Sequence, residues 1–260
     1  MYLLYFFVAL VATTIGSMTG MGGGVIIKPA MDFIGTYNAQ TIGVISSITV
    51  FSMSIVSIIK QIQLKTKIKA SMAVLIGLGS IIGGYIGEQI LNMVINALKI
   101  NNTILAIQNT LLSIIILSVF IYMLKKDKIK SKNFTGKFVY ILVGFILGLI
   151  SSFLGIGGGP INVALIIYLF SLDTKSAVLY SIITILFAQI SKITTIILTT
   201  GFSPYDLTIL PIMVIGAVMG GYMGSLINKR IPEKKVEILF NGTQLVVLAL
   251  AITNVIKSFL

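Results

Sequence analysis

The chain has 260 residues, 57% of them apolar and 10% charged, with 19 Lys and Arg against 7 Asp and Glu and a formal charge of +12. A mean hydropathy of +1.06 exceeds what a water-soluble core of this length can absorb, so the chain belongs in a bilayer. The absence of Cys and His excludes thiolate chemistry, haem ligation and imidazole proton relays. No cofactor is expected, and the basic residues cluster in short loops between apolar runs, which is a topology signal and not a nucleic-acid surface.

Met1–Thr19 is apolar like a signal peptide, but it lacks a basic leading region and runs into a glycine cluster that recurs later, so it reads as a retained helix. The cluster Gly20-Met21-Gly22-Gly23-Gly24 is followed by a short segment over 24–34. Beyond it, stretches 39–59, 70–91, 103–124, 138–155, 176–200, 207–228 and 236–256 meet or approach the ~20 apolar residues that one crossing needs.

The first cluster reappears as Gly155-Ile156-Gly157-Gly158-Gly159, about 135 residues on. At the same offset Ser46 and Thr49 fall on Ser181 and Thr184, and Gly83-Gly84-Tyr85-Ile86-Gly87 matches Gly220-Gly221-Tyr222-Met223-Gly224 with a shift of two. Three matches in one order make an internal repeat. The expected units are 1–124 and 138–260, joined by a basic cytoplasmic linker over 125–137.

Loop charge sets the orientation. The loop bearing Lys60, Lys65, Lys67 and Lys69, the linker, and the loop bearing Lys229, Arg230, Lys234 and Lys235 should be cytoplasmic, and the loops near Asn101 and Gly201–Pro204 outside. This holds only if the first two segments of each half start and end on one side, as two crossings or as a re-entrant hairpin. Three further crossings per half then insert the second copy upside down. The expected fold is an all-α polytopic membrane protein of two inverted-topology repeats, each a broken or re-entrant helix pair plus about three full transmembrane helices. It should lie in the cytoplasmic membrane with both termini outside; the alternative is a duplication that merely enlarges a scaffold.

Glycine runs break helices, and in lipid a break persists only where protein or water satisfies the freed amides. The triple-glycine clusters therefore favour a protein-lined site over simple close packing, whereas Gly83-Gly84 and Gly220-Gly221 favour packing. Half-helices starting after the clusters, with Pro160 at a first-turn position, would aim their positive ends at an anion.

Candidate binding residues are Gly22, Gly23, Gly24, Gly157, Gly158 and Gly159, with the neutral donors Ser46, Thr49, Asn162, Ser181, Thr184 and Gln189 on nearby segments. Each neutral donor alone can equally be helix–helix glue. Lys192 is the only charge placed well inside a predicted span. It would attract an anion or carry a coupled proton, or snorkel from a longer helix. Lys28 would guide an anion or, the preferred reading, snorkel. The acids Asp32, Glu88, Asp127, Asp173, Asp206, Glu233 and Glu237 are placed near span ends or in loops. That scarcity at depth argues against a cation carrier and a membrane-embedded enzyme.

At its two glycine clusters, the first with Pro29, the chain resembles the sulfite exporter TauE/SafE family, or TSUP permeases, over nearly its whole length. The resemblance implies a secondary carrier of small sulfur-containing or organic anions such as sulfite, sulfoacetate or thiosulfate, driven by the proton gradient, with Gly22–Gly24 and Gly157–Gly159 lining the path. Pro160 follows the second cluster directly and Ala164 stands where Pro29 would repeat, so the halves can differ in role. Partners would be a small anionic substrate and the lipid bilayer, with no nucleic acid; a homodimer is the oligomer to test for. No Walker-type loop is present, and a passive anion channel stays open as the alternative to a carrier.

Overall fold

The computed structural model describes residues 2–66, 68–98, 101–156 and 158–259, with backbone alone at Asn101 and Phe259. Ten α-helices and no strand occur among them: α1 (Tyr2–Thr19), α2 (Gly24–Ile34), α3 (Ala39–Gln63), α4 (Ala70–Leu98), α5 (Asn101–Lys125), α6 (Lys137–Phe153), α7 (Pro160–Phe170), α8 (Thr174–Thr199), α9 (Leu210–Arg230) and α10 (Glu233–Phe259). Seven of these are long and apolar enough to cross a membrane. Their outer faces carry exposed Ile114, Leu117 and Ile121 on α5 and Val246, Ile252 and Ile256 on α10, a surface that suits lipid and not water. The protein is an all-helical, multi-pass membrane protein.

Two helices differ from the sequence expectation in length. The predicted stretch 138–155 forms α6, which stops after 17 residues at Phe153, because Gly155 two residues on takes φ +66° and ends the helical path. α4 instead runs past its predicted end at residue 91 to Leu98. The helices that follow the glycine clusters are short: α2 and α7 have 11 residues each, ~16 Å at 1.5 Å per residue, about half the hydrocarbon thickness.

Local chemistry sets where the long helices begin. Asn38 caps α3 by accepting from the Thr41 amide at 2.8 Å, and Asp173 caps α8 by accepting from the Ser176 amide at 2.9 Å. Helix pairings also come in matched couples. α4 lies along α6 and α9 along α1; α3 packs on α9 and α8 on α4; α2 meets α10 and α7 meets α5; α3–α8 and α5–α10 complete the set. Exchanging each helix for the one five places away in the chain returns these eight pairings, although α1–α2 and α1–α10 have no comparable counterpart among the described residues.

The two tightest seams use small residues. On α4, a Cβ added at Gly79, Gly83 or Gly87 would lie 2.0, 1.9 or 2.3 Å from the carbonyl oxygens of Ile141, Phe145 and Leu149 on α6. On α9, a Cβ added at Gly216, Gly220 or Gly224 would lie 2.9, 2.7 or 2.3 Å from the carbonyl oxygens of Phe6, Leu10 and Thr14 on α1. The Gly83-Gly84 and Gly220-Gly221 motifs thus serve close packing, as expected from their spacing. Gly83→Ala should destabilise the detergent-solubilised protein by about 1–3 kcal/mol, the usual cost of overpacking, whereas Gly242→Ala on α10, where an added Cβ meets nothing within 4 Å, should cost nothing. Thermal unfolding of the two variants beside the parent checks this.

Candidate functional site

The two glycine breaks meet. After α1 the chain turns through Gly22 at φ +72°, a conformation that only glycine adopts without strain. α2 then starts at Gly24, where an added Cβ would sit 1.8 Å from the Ile156 carbonyl oxygen and 3.1 Å from Ser46 Oγ. The first cluster therefore lies directly on the second, beside α3. From α8, the Ser181 hydroxyl donates to the Gly20 carbonyl at 2.5 Å, tying the first break in place. On the other side Gly158 lies against Ile185 of α8 and Gly159 against Ile156. Gly157 lies outside the described residues. Gly23 packs against Thr13 of α1, so it holds the turn to the helix before it.

The neutral candidates divide into two groups. Ser181 is engaged with Gly20, and Thr184 donates to the Tyr180 carbonyl at 2.8 Å, so both are structural in this conformation. Ser46 Oγ, Thr49 Oγ1, both amide atoms of Asn162 and both amide atoms of Gln189 are buried with no hydrogen-bond partner among the described residues. Buried polar atoms rarely go unpartnered, and here they gather on the three elements around the breaks: α3, α7 and α8.

Above them opens a cavity of about 310 Å³ lined by residues of α2 to α5 and α8, by Gly155 and by Tyr205 of the α8–α9 loop. Lys28 and Lys192 both reach it. The Lys28 side chain passes 3.3 Å from the position a Cβ on Gly155 would take, and Lys192 Nζ lies 3.6 Å from the corresponding point on Gly43. Gly43, Ser46 and Thr49 are spaced three apart on α3, as Lys192 and Gln189 are on α8. That spacing keeps each set on one helix face, each step ~4.5 Å deeper. Ser46, Thr49 and Gln189 therefore continue inward along α3 and α8 from the cavity-lining Gly43 and Lys192.

Charge at depth is richer than the sequence reading allowed. Lys192 is not the only buried charge: its Nζ lies 3.3 Å from Glu88 Oε2 on α4, with side-chain exposures of 3% and 9%. Lys28 does not snorkel. It pairs with Asp32 one turn along α2 at 3.1 Å, with exposures of 3% and 1%, and Asn109 of α5 also donates to Asp32 Oδ2 at 3.3 Å. Glu88 was placed near a span end because α4 was expected to stop at residue 91, but the helix continues two more turns. The i,i+4 spacing of Lys28 and Asp32 permits their pairing but gives no sign of its depth.

Towards the other end of α8, apolar side chains pack against α10. Val178 and Ile182 of α8 cluster with Val236 of α10, flanked by Ile58 and Ile231. Outside this plug the Thr174 hydroxyl donates to Glu237 at 2.6 Å, the Thr174 amide donates to Glu233, and Lys126 pairs with Glu237. At the repeat offset Val178 corresponds to Gly43, so a side chain fills one face where the other has none.

A helical membrane protein with a cavity that two buried lysines line beside a pair of helix breaks has the build of a membrane transporter. The sulfite exporter TauE/SafE family matches residues 5–252, and the chain belongs to that family. It is 28% identical over 254 residues to a protein of Methanocaldococcus jannaschii named as a probable membrane transporter, covering 92% of this chain and 91% of that one. It is 24% identical over 258 residues to the probable membrane transporter protein YunE of Bacillus subtilis, covering 87% and 88%. No solved structure matches the chain.

Removing one partner of a buried ion pair strands the other. Lys192→Met should therefore destabilise the protein by about 3–5 kcal/mol, and the double variant Lys192→Met with Glu88→Leu should recover most of that loss. Unfolding of the two single variants and the double variant in detergent measures the difference; a double-variant loss equal to the sum of the single losses would mean that the pair is not coupled.

Proposed function

We propose that this transporter is a secondary carrier of a small anion, a sulfur oxyanion or organosulfonate such as sulfite, drawn by the proton gradient across the cytoplasmic membrane. The observation that carries this reading is the convergence of Lys28 and Lys192 on one cavity whose inward continuation is lined by the unpartnered Ser46, Thr49, Asn162 and Gln189. Two ammonium groups supply attraction for an anion, and hydroxyl and amide groups supply hydrogen bonds once its water is shed. A volume near 310 Å³ suits a solute of a few heavy atoms. Gly22–Gly24, Gly158 and Gly159 let the two breaks pack on one another where the solute would pass between the halves.

The apolar cluster of Val178, Ile182 and Val236 behind the breaks favours a carrier over a pore. The exchange-related helix pairings support two repeats, 1–124 and 138–260, that swap roles as the cavity moves from one face to the other. An inverted relation between them accords with the loop charges. In that orientation the cavity opens outward, the Lys125–Lys137 linker is cytoplasmic, and both termini lie outside.

Counterflow tests the carrier. Proteoliposomes loaded with unlabelled sulfite should take up labelled sulfite by saturable exchange, with sulfoacetate, thiosulfate, sulfate and acetate as competing trapped solutes; absence of exchange with all five would end the anion-carrier reading. Orientation is tested separately, since the chain has no Cys and single cysteines can be placed without further changes. A membrane-impermeant maleimide added to intact cells should label Pro204→Cys and spare Lys130→Cys; the reverse pattern would invert the topology.

A further inference from the structure

The four charged side chains at the cavity, Lys28, Asp32, Lys192 and Glu88, form two ion pairs and sum to no net charge. An anion that simply entered would add uncompensated charge to a site largely sealed from water, where charge is least tolerated. The lysines attract an anion only if one of them is released from its carboxylate. Neutralising that carboxylate with a proton releases the lysine and keeps the loaded site neutral.

The two pairs are not equally releasable. Lys28 and Asp32 sit on one helix, hydrogen-bonded at 3.1 Å, and Asn109 holds the same carboxylate oxygen from α5; Asp32 itself does not line the cavity. Lys192 and Glu88 both line it and join two helices, α8 and α4. Their 3.3 Å contact lacks hydrogen-bond geometry, leaving Glu88 Oε2 without a hydrogen-bond partner among the described residues.

A second observation separates this pair from mere packing. At the repeat offsets Ser152, Lys192 and Glu88 correspond to Ser17, Ser57 and Ser225. Those three serines close the equivalent crossing of α1, α3 and α9 with hydrogen bonds of 2.9 and 3.0 Å and no exposure. Around them Gly221 faces Ser57, as Gly84 faces Ser152 and Ser191. Neutral residues suffice for that crossing, so the helices do not require a charge pair to pack there.

Resting on the anion-carrier reading, we propose that Glu88 is the coupling carboxylate: it holds Lys192 in the empty site, takes up one proton from the cavity side, and surrenders Lys192 to the incoming anion. The proton goes from water to the Glu88 carboxylate, no covalent bond to the anion forms, and Lys192 stays protonated throughout. The other titratable groups at the cavity are Lys28 from α2, paired behind it with Asp32, and Tyr205 from the α8–α9 loop; α5 contributes the amide Gln108, and Ser152 of α6 lies against Gly84 of α4. Lys28 remains bound to Asp32 and adds no net charge.

The test uses full-length protein in proteoliposomes with labelled sulfite, the membrane voltage held at zero and the outside more acid by one pH unit. Coupling to one proton sets an accumulation limit of about tenfold in the parent protein, a tenfold ratio being 1.4 kcal/mol. Glu88→Gln should accumulate no sulfite above the outside level, and its counterflow rate should lose its dependence on pH. Asp32→Asn should keep gradient-driven accumulation, and Glu88→Asp, which retains a carboxylate, should restore part of it. The sulfite–bisulfite equilibrium in water is common to all variants, so differences among them isolate the protein's own proton. Gradient-driven accumulation by Glu88→Gln with the parent pH profile would overturn the assignment of Glu88, as would its loss in Asp32→Asn with counterflow intact. Absence of counterflow in the parent protein would instead defeat the anion carrier itself. Should Glu88→Gln fail to fold, the comparison of Glu88→Asp with Asp32→Asn decides: a parental pH profile in the first, with an altered one in the second, rejects Glu88.

Discussion

A broken helix inside a bilayer exposes amide and carbonyl groups that lipid cannot satisfy, and the arrangement of this protein follows from how that constraint is met. Neither break could persist alone against hydrocarbon. They are laid against one another, with Gly24 at van der Waals limit from the Ile156 carbonyl, and α3 and α8 close over them from either side. Ser181 fastens the first break by its bond to Gly20. With the breaks at the centre, the long helices must surround them in cross-paired couples, and the glycine seams of α4 with α6 and α1 with α9 bring those couples close enough to do so.

The same constraint governs charge. Four charged side chains are carried into the interior, each against an opposite partner, which is the condition under which ionised groups are tolerated there. The pairs nevertheless differ in what they can do. One lies within a single short helix and is held by a third residue, so breaking it changes little beyond α2. The other spans α4 and α8, the helices that also line the cavity, and any event that separates Lys192 from Glu88 is felt directly in how those helices sit.

Much of the architecture was legible in the sequence because lipid imposes a simple rule on composition: the long apolar runs had to be helices, and the duplicated glycine clusters had to be breaks. Ser46, Thr49, Asn162, Gln189 and Lys192 were also readable, being polar residues in apolar segments near those breaks. The carboxylates were not. Glu88 was hidden by a helix that runs two turns further than hydropathy suggested, since Asn92 and Asn96 interrupt the apolar run without ending the helix. Asp32 sits in a segment too short to be recognised as membrane-embedded, where depth comes from the tertiary wrapping of α2 by α3 and α10 and leaves no local signal. Equally, nothing in the sequence separated Ser181 and Thr184, which are engaged, from their repeat counterparts Ser46 and Thr49, which are not; that depends on which conformation is occupied.

This last difference bears on mechanism. If two equivalent halves met symmetrically, Ser46 and Ser181 would have equivalent partners, and Gly43 and Val178 would leave equal space. Instead one hydroxyl is bonded across the halves while its counterpart is unpartnered, and one face is a cavity while the other is a plug of Val178, Ile182 and Val236. A duplicated unit that is similar in packing and different in occupancy is what a two-state carrier requires, because the second state can be reached by exchanging the roles of the halves without building new contacts. The exchange is incomplete in one respect: the Lys192–Glu88 position has only serines as its counterpart. On the carrier reading, exchanging the halves would give two states unequal in charge at this crossing, so the affinity for the solute would differ between the faces while the gradients alone set the direction of net flux.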